Sequence, residues 1–170
     1  MSGVNVGGAG KGSNLAVSAG ASLEARGFNH NEIVNAGFGP DLRVGYSFPR
    51  EAYERGSLEI IGESSYRDFF PGRGEVHHSL FHNSLGVKMK SEIDPKIFLS
   101  PVFLIGTTYN SSRDRVRPVA LQGSGGLELD LAWSANLRFG MGLKILTGEM
   151  SLPTDVGMVI VSSQNLTYRF

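Results

Sequence analysis

Polar and apolar residues alternate along nearly the whole chain, a period of two that belongs to β-strands, and helical periodicity is almost absent. In "LAVSAGASLEARG", Leu15, Val17, Ala19, Ala21 and Leu23 fall on one face and Ser18, Gly20, Ser22, Glu24 and Arg26 on the other. "NAGFGPDLRVGYSF" sets Phe38, Leu42, Val44, Tyr46 and Phe48 against Gly37, Gly39, Asp41, Arg43 and Gly45. "SLEIIGESSYRDF" sets Leu58, Ile60 and Tyr66 against Glu59, Glu63 and Arg67. "VHHSLFHNSLGVKMK" opposes Phe81, Leu85, Val87 and Met89 to His82, Ser84, Lys88 and Lys90. "KIFLSPVFLIGTTYN" is apolar on both faces, which leaves its register open. "GLELDLAWSA" alternates Leu127, Leu129, Leu131 and Trp133 with Glu128, Asp130, Ala132 and Ser134. "LRFGMGLKI" alternates Phe139, Met141 and Leu143 with Arg138, Gly140, Gly142 and Lys144, and a last run extends from about Met158 to Phe170.

These runs predict eight strands. The odd-numbered links, "FNHNEIV", "FPGRGE", "SSRDRVRPVALQGSG" and "TGEMSLPTD", include the longest ones. The others are "PREAYERG", "SEIDP" and a tight turn near Ala135 and Asn136, so one end is expected to carry the larger loops. Residues 1–13 read as a flexible Gly-rich lead-in, and residues 14–170 as one domain. Eight amphipathic strands joined by hairpins suggest a closed barrel, because closure removes exposed edges.

Composition then decides what the alternation cannot. A soluble lipocalin-like ligand-binding barrel turns its apolar face inward, whereas a membrane barrel turns it towards lipid. Gly accounts for 23 residues and recurs inside the strands, mostly on the polar face, which fits a crowded interior better than a solvated surface. That face also holds both signs of charge: Glu24, Asp41, Glu59, Glu63, Glu128 and Asp130 against Arg26, Arg43, Arg67, Lys88, Lys90, Arg138, Lys144 and Arg169. Buried charges need such partners. Tyr46, Phe48, Tyr66, Phe69, Phe70, Tyr109, Trp133, Tyr168 and Phe170 gather towards strand ends, where membrane-interface girdles belong. The sequence therefore predicts an all-β, eight-stranded antiparallel up-and-down transmembrane β-barrel with a salt-bridged lumen.

Other features narrow the setting. The 16 acids balance the 16 bases, so nothing global argues for nucleic acid. The absence of Cys removes disulfides and thiolate chemistry. No run of apolar residues is long enough for a transmembrane helix. "MSGVNVGGAGKGSN" lacks a basic region followed by an apolar stretch, so an exported chain is expected to begin here at its mature N-terminus, behind an added Met1.

The ending "LTYRF", with Leu166, Tyr168 and Phe170 on one face, resembles the C-terminal signature of bacterial outer-membrane β-barrels. The strand number and loop asymmetry resemble the small OmpA/OmpX-type barrels. The resemblance implies a bacterial outer-membrane location, a lipid bilayer around the barrel, and recognition of the last strand by the barrel-assembly machinery.

Three constellations carry candidate chemistry. "EVHHSLFHNSLG" places His77 two residues from Ser79 and His82 two from Ser84, the spacing at which a base shares a strand face with a nucleophile. Outer-membrane lipid A deacylases resemble this locally through a His-x-Ser-Asn stretch, but Leu80 and Leu85 stand where the Asn is needed. These histidines offer no metal site, since His78 and His82 would stand about 13 Å apart on a strand. Arg113, Arg115 and Arg117 alternate in the most basic link, a pattern suited to lipopolysaccharide phosphates. The interior charges suggest a conduit, but an eight-stranded interior is filled by side chains. The expected role is non-enzymatic, in surface interaction or membrane structure through the longer outer loops and without a cofactor. A lipid-modifying hydrolase or acyltransferase using residues 77–84 is the alternative.

Overall fold

The structure, a computed structural model, describes residues 14–29, 32–49, 56–69, 78–112, 115–148 and 159–170. Eight strands follow one another: β1 (Leu15–Asn29), β2 (Glu32–Pro49), β3 (Gly56–Phe69), β4 (His78–Asp94), β5 (Ile97–Ser112), β6 (Arg115–Ala132), β7 (Leu137–Gly148) and β8 (Val159–Arg169). Each pairs antiparallel with its neighbours in sequence, and β8 returns to β1 to close the barrel. The closing ladder runs from Ala16 opposite Arg169 to Arg26 opposite Val159. It extends to the last residue: the Phe170 amide donates to the Leu15 carbonyl at 3.2 Å, and the Arg169 amide to the Asn136 carbonyl at 2.8 Å. Closure leaves no free edge around the wall, so the strands there hydrogen-bond to neighbours on both sides.

The apolar faces point outward. Leu23, Leu42, Ile60, Leu85, Phe103, Ile105, Leu127 and Leu143 remain exposed around the circumference. The soluble barrel with reversed faces is thereby excluded, since it needs these residues inside. Aromatic rows mark both ends of the belt. At the loop end Tyr66, Phe81 and Tyr109 stand in register across β3, β4 and β5. At the end carrying the chain terminus, Tyr46 packs edge-on against Phe48 with ring centroids 4.9 Å apart, and Tyr168 against Phe170 at 5.1 Å. Such edge-to-face pairs hold the rings at a fixed level while leaving the hydroxyls free for the head-group region.

Four sequence expectations change. The fifth link is mostly strand: β5 continues to Ser112 and β6 starts at Arg115, with Asn110 opposite Arg117. Because β7 meets β6 only from Gln122 onwards, the β5–β6 hairpin projects past the wall on that side. A hairpin lets these residues satisfy their backbone groups on each other, as an open loop would not. Similarly, β1 reaches Asn29 and β2 resumes at Glu32, so the first link is also strand for most of its length. The sixth strand stops at Ala132; Trp133 leaves the wall, and Ser134 Oγ instead accepts the Leu137 amide at 3.0 Å to hold the turn. Finally, Phe69 is no girdle residue. It shares the inner face with Ser65 and Arg67, is wholly buried, and lies over Gly37, where a Cβ would stand 2.8 Å from the ring. The Gly-rich segment 1–13 and Phe70 lie outside the described residues.

Pro40 has no amide to donate, and no pairing links Gly39 and Pro40 to the residues facing them on β3. Arg67 compensates: its guanidinium donates to the Pro40 carbonyl at 3.3 Å and the Tyr66 carbonyl at 2.8 Å.

The orientation of the two faces gives a direct test. Leu143→Arg places a cation against lipid and is expected to cost about 2–4 kcal/mol. In the lumen, the Ser22 hydroxyl is buried without a hydrogen bond, so Ser22→Ala is expected to cost less than about 1 kcal/mol. Denaturant unfolding in lipid vesicles measures both; equal losses would contradict the orientation.

Candidate functional site

The inner faces of the strands converge on a charge network that fills the barrel. At its centre, Arg43 of β2 reaches Glu63 of β3 at 2.5 Å and Glu128 of β6 at 2.8 Å. Glu128 also accepts Lys88 of β4 at 2.7 Å, and Lys88 meets Asp130 at 2.7 Å. Lys144 of β7 closes the circuit on Glu63 at 2.5 Å. Five strands are thus tied across the interior by side chains of alternating sign. Local sequence makes the room: a Cβ on Gly142 would lie 2.8 Å from Ser163 Oγ and 2.9 Å from Glu128 Cγ, so the acid can lie flat only over glycine. Beside the ions, Ile61, Val102 and Leu104 form a small apolar cluster. This settles the register of β5, whose inner face carries Val102 and Leu104 and whose outer face carries Phe103 and Ile105.

Towards the chain terminus the network continues. Lys90 pairs with Glu59, Arg169 Nη2 donates to Ser47 Oγ at 2.9 Å, and Arg138 lies 4.3 Å above the Phe98 ring. Towards the loop end, Arg67 pairs with Asp41 at 2.7 Å and stands 3.9 Å from Glu24. His82 joins here: Nε2 lies 3.2 Å from Glu24 Oε2, and Nδ1 lies 2.8 Å from Thr108 Oγ1. The Thr108 hydroxyl donates to Gln122 Oε1, which leaves its oxygen to accept from His82 Nδ1. Beyond this layer Phe69, Leu80 and Val159 are buried.

All the lumen charges expected from sequence lie on inner faces apart from Arg26, whose side chain is outside the described residues. His82, Thr108 and Gln122 were missed as members. Their strand parity was the available signal, since His82 shares a face with Ser84 and Lys88.

The His/Ser segment does not come together as one site. Ser79 faces outward, accepting from the Tyr66 hydroxyl at 2.9 Å and donating to Asp68 at 3.0 Å. His82 and Ser84 face the lumen, while His77 and the His78 side chain are outside the described residues. Thr108, His82 and Glu24 stand in line, but the Thr108 hydroxyl donates to Gln122 and not to the imidazole, so His82 is not placed as its base. The cavity that Glu24 and His82 line with Ser84, Arg67, Gln122 and Lys144 measures about 30 Å3, room for one or two waters and not for an acyl chain. Among the described residues no cluster of His, Asp and Glu is suited to a metal. Arg113 lies outside the described residues; Arg115 and Arg117 are placed by backbone only, opposite Ser112 and Asn110 at the hairpin tip. Leu166, Tyr168 and Phe170 face outward, each about half exposed.

No protein-family model matches the sequence, and no curated protein matches it significantly. Solved structures do. Neisserial surface protein A superposes with a TM-score of 0.72 at 10% identity, over 93% of this chain and 98% of that one. Ail, the attachment invasion locus protein of Yersinia pestis, gives 0.55 at 15% identity over 94% and 99%. The outer membrane enzyme PagL gives 0.57 at 14% identity over 91% and 99%. At these identities the likeness is one of fold. The chain has the fold of the small eight-stranded outer-membrane barrels, and the neighbours' setting agrees with the bacterial outer-membrane location expected from the sequence.

Removing one member of the central network leaves its buried partners with a counter-charge fewer. Glu128→Ala, which leaves Arg43 to Glu63 and Lys88 to Asp130, is expected to destabilise the barrel by about 3 kcal/mol, read as a lowered denaturation midpoint in vesicles. A loss below about 1 kcal/mol would mean that water replaces the carboxylate.

Proposed function

We propose that this chain is a non-enzymatic outer-membrane barrel acting in surface interaction or membrane structure through its outer hairpins. The observation that carries the reading is the filled lumen: the ion pairs of Arg43, Glu63, Lys88, Glu128 and Lys144 occupy the interior, which leaves the exterior to do the recognising. The β5–β6 hairpin, which extends beyond the wall, is the first candidate for contact. Arg115 and Arg117 near its tip, with Arg113 in the link between its strands in sequence, suit lipopolysaccharide phosphates, which accept charge-assisted hydrogen bonds from guanidinium groups. Leu166, Tyr168 and Phe170 serve as the signal read by the barrel-assembly machinery. Two of the similar structures are described as a surface protein and as an attachment protein, in keeping with this reading.

The competing reading, a lipid-modifying enzyme like the barrel enzyme among the neighbours, draws little from the geometry. Ser79 faces outward, away from His82, and the lumen cavity that His82 lines with Ser84 has space for water alone.

Expressed behind a signal peptide, the chain is expected in the outer-membrane fraction and to need detergent for extraction. Mass spectrometry of lipid A from the same cells should show an unchanged acyl pattern; loss or gain of an acyl chain would establish the enzyme instead. Replacing Arg113, Arg115 and Arg117 together with Ala should weaken binding to lipopolysaccharide-containing vesicles several-fold, with a smaller difference at high salt, where exposed charges are screened. Undiminished binding would remove the arginines from the proposal.

A further inference from the structure

A polar side chain that faces lipid deep in a bilayer is unfavourable unless another group hydrogen-bonds it. The outward face of β8 carries two such residues, Ser162 and the longer Gln164. Along that face stand Ile160, Ser162, Gln164, Leu166, Tyr168 and Phe170. Gln164 is exposed, and its side chain makes no hydrogen bond among the described residues. It lies four residues from Tyr168, a member of the terminal aromatic row. At about 3.3 Å per residue and a strand tilt of about 40°, that is about 10 Å along the barrel axis, within an apolar belt about 25 Å tall. Gln164 therefore stands near the middle of the membrane, beyond the reach of lipid head groups and ester oxygens on either side.

Its surroundings are shallow on one flank. Gln164 pairs with Ala21 of β1 and with Met141 of β7, and Ser162 with Leu23 and Leu143. Ala19, Ala21 and Ala25 line the outer face of β1 beside them. Small side chains let a second surface approach closely, which strengthens packing and hydrogen bonds where no hydrophobic gain distinguishes protein from lipid.

We propose that the β8–β1 seam is a self-association surface, on which a second copy of this chain docks with its Gln164 hydrogen-bonded to the first at mid-membrane. Depth and symmetry select this occupant. Lipid offers no polar atom at that level, so the partner is protein. Two copies inserted in the same direction are related by a two-fold axis along the membrane normal, and such an axis brings each residue to its own counterpart at the same depth. A primary amide supplies both donor and acceptor and so complements itself. A different protein would need a polar group placed independently at that depth. Asn83, also outward, makes a contrast. It sits one residue pair inside the row of Tyr66, Phe81 and Tyr109 and is held by the Ser64 hydroxyl at 3.0 Å, close enough to the interface to need no protein partner.

The inference rests on the membrane placement proposed above, and fractionation before the test separates failure of one from failure of the other. Because the chain has no Cys, single-cysteine variants are unambiguous. Ala21→Cys, beside Gln164 on the seam, and Ile105→Cys, lipid-facing on the opposite wall, are oxidised with copper phenanthroline in isolated outer membranes. Ala21→Cys is expected to give a disulfide-linked band of twice the chain mass, in at least about fivefold excess over Ile105→Cys. In detergent, Gln164→Leu should weaken dimerisation by roughly fivefold relative to the unmodified chain in sedimentation equilibrium, the equivalent of about 1 kcal/mol for a polar contact between membrane segments. Heat-dependent gel mobility confirms that all three variants are folded. Equal cross-linking at the two positions, an adduct with another protein, or a dimerisation constant unchanged by Gln164→Leu would overturn the proposal.

Discussion

Arg43 bridging Glu63 and Glu128 is the interaction on which the rest of this barrel depends. Eight strands enclose an interior only wide enough to be filled by side chains. Polar groups must fill it here, because the apolar faces are committed to the outside. Charges removed from water persist only when each meets an opposite partner. The guanidinium of Arg43 meets two carboxylates, and each carboxylate passes the contact to a lysine on another strand. The wall and its filling are therefore one structure, since β2, β3, β4, β6 and β7 are joined through the lumen as well as along their ladders.

Glycine follows from the same constraint. Gly142 gives Glu128 a place to lie, and Gly37 gives Phe69 one. The high Gly content, which would weaken strands in a soluble sheet, supplies the space that long charged side chains need when they cross a narrow interior. The wall tolerates Pro40 for a related reason: the long inward side chain of Arg67 reaches the carbonyls next to the break.

Much of the architecture was legible in the sequence. Strand number, closure, the assignment of faces and the outward Leu166, Tyr168 and Phe170 follow from period-two alternation and from the need to hide backbone groups. The errors fell where alternation stops carrying information. The link after β5 is rich in Arg, Ser and Gly and reads as loop, yet its backbone pairs as a hairpin nearly to its tip. Phe69 reads as an interfacial ring because it lies near a strand end, but parity places it inside. The His/Ser segment divides by the same parity: Ser79 faces outward, whereas His82 and Ser84, two residues apart, share the lumen face.

The sequence by itself determined which residues share a face, because a strand alternates its side chains whatever surrounds it. It also determined that both signs of charge lie on one face. Only the tertiary structure decided which acid meets which base, since that depends on the stagger of the ladders and on the positions that closure brings opposite one another. Glu63 and Lys144 are far apart in the chain and on non-adjacent strands, yet they lie 2.5 Å apart across the lumen. Tertiary structure alone likewise brought His82 to Glu24 and Thr108, and gave Gln164 its place in the lipid-facing wall beside the alanines of β1. Those contacts arise from closing the sheet, and alternation within single strands does not encode how a sheet closes.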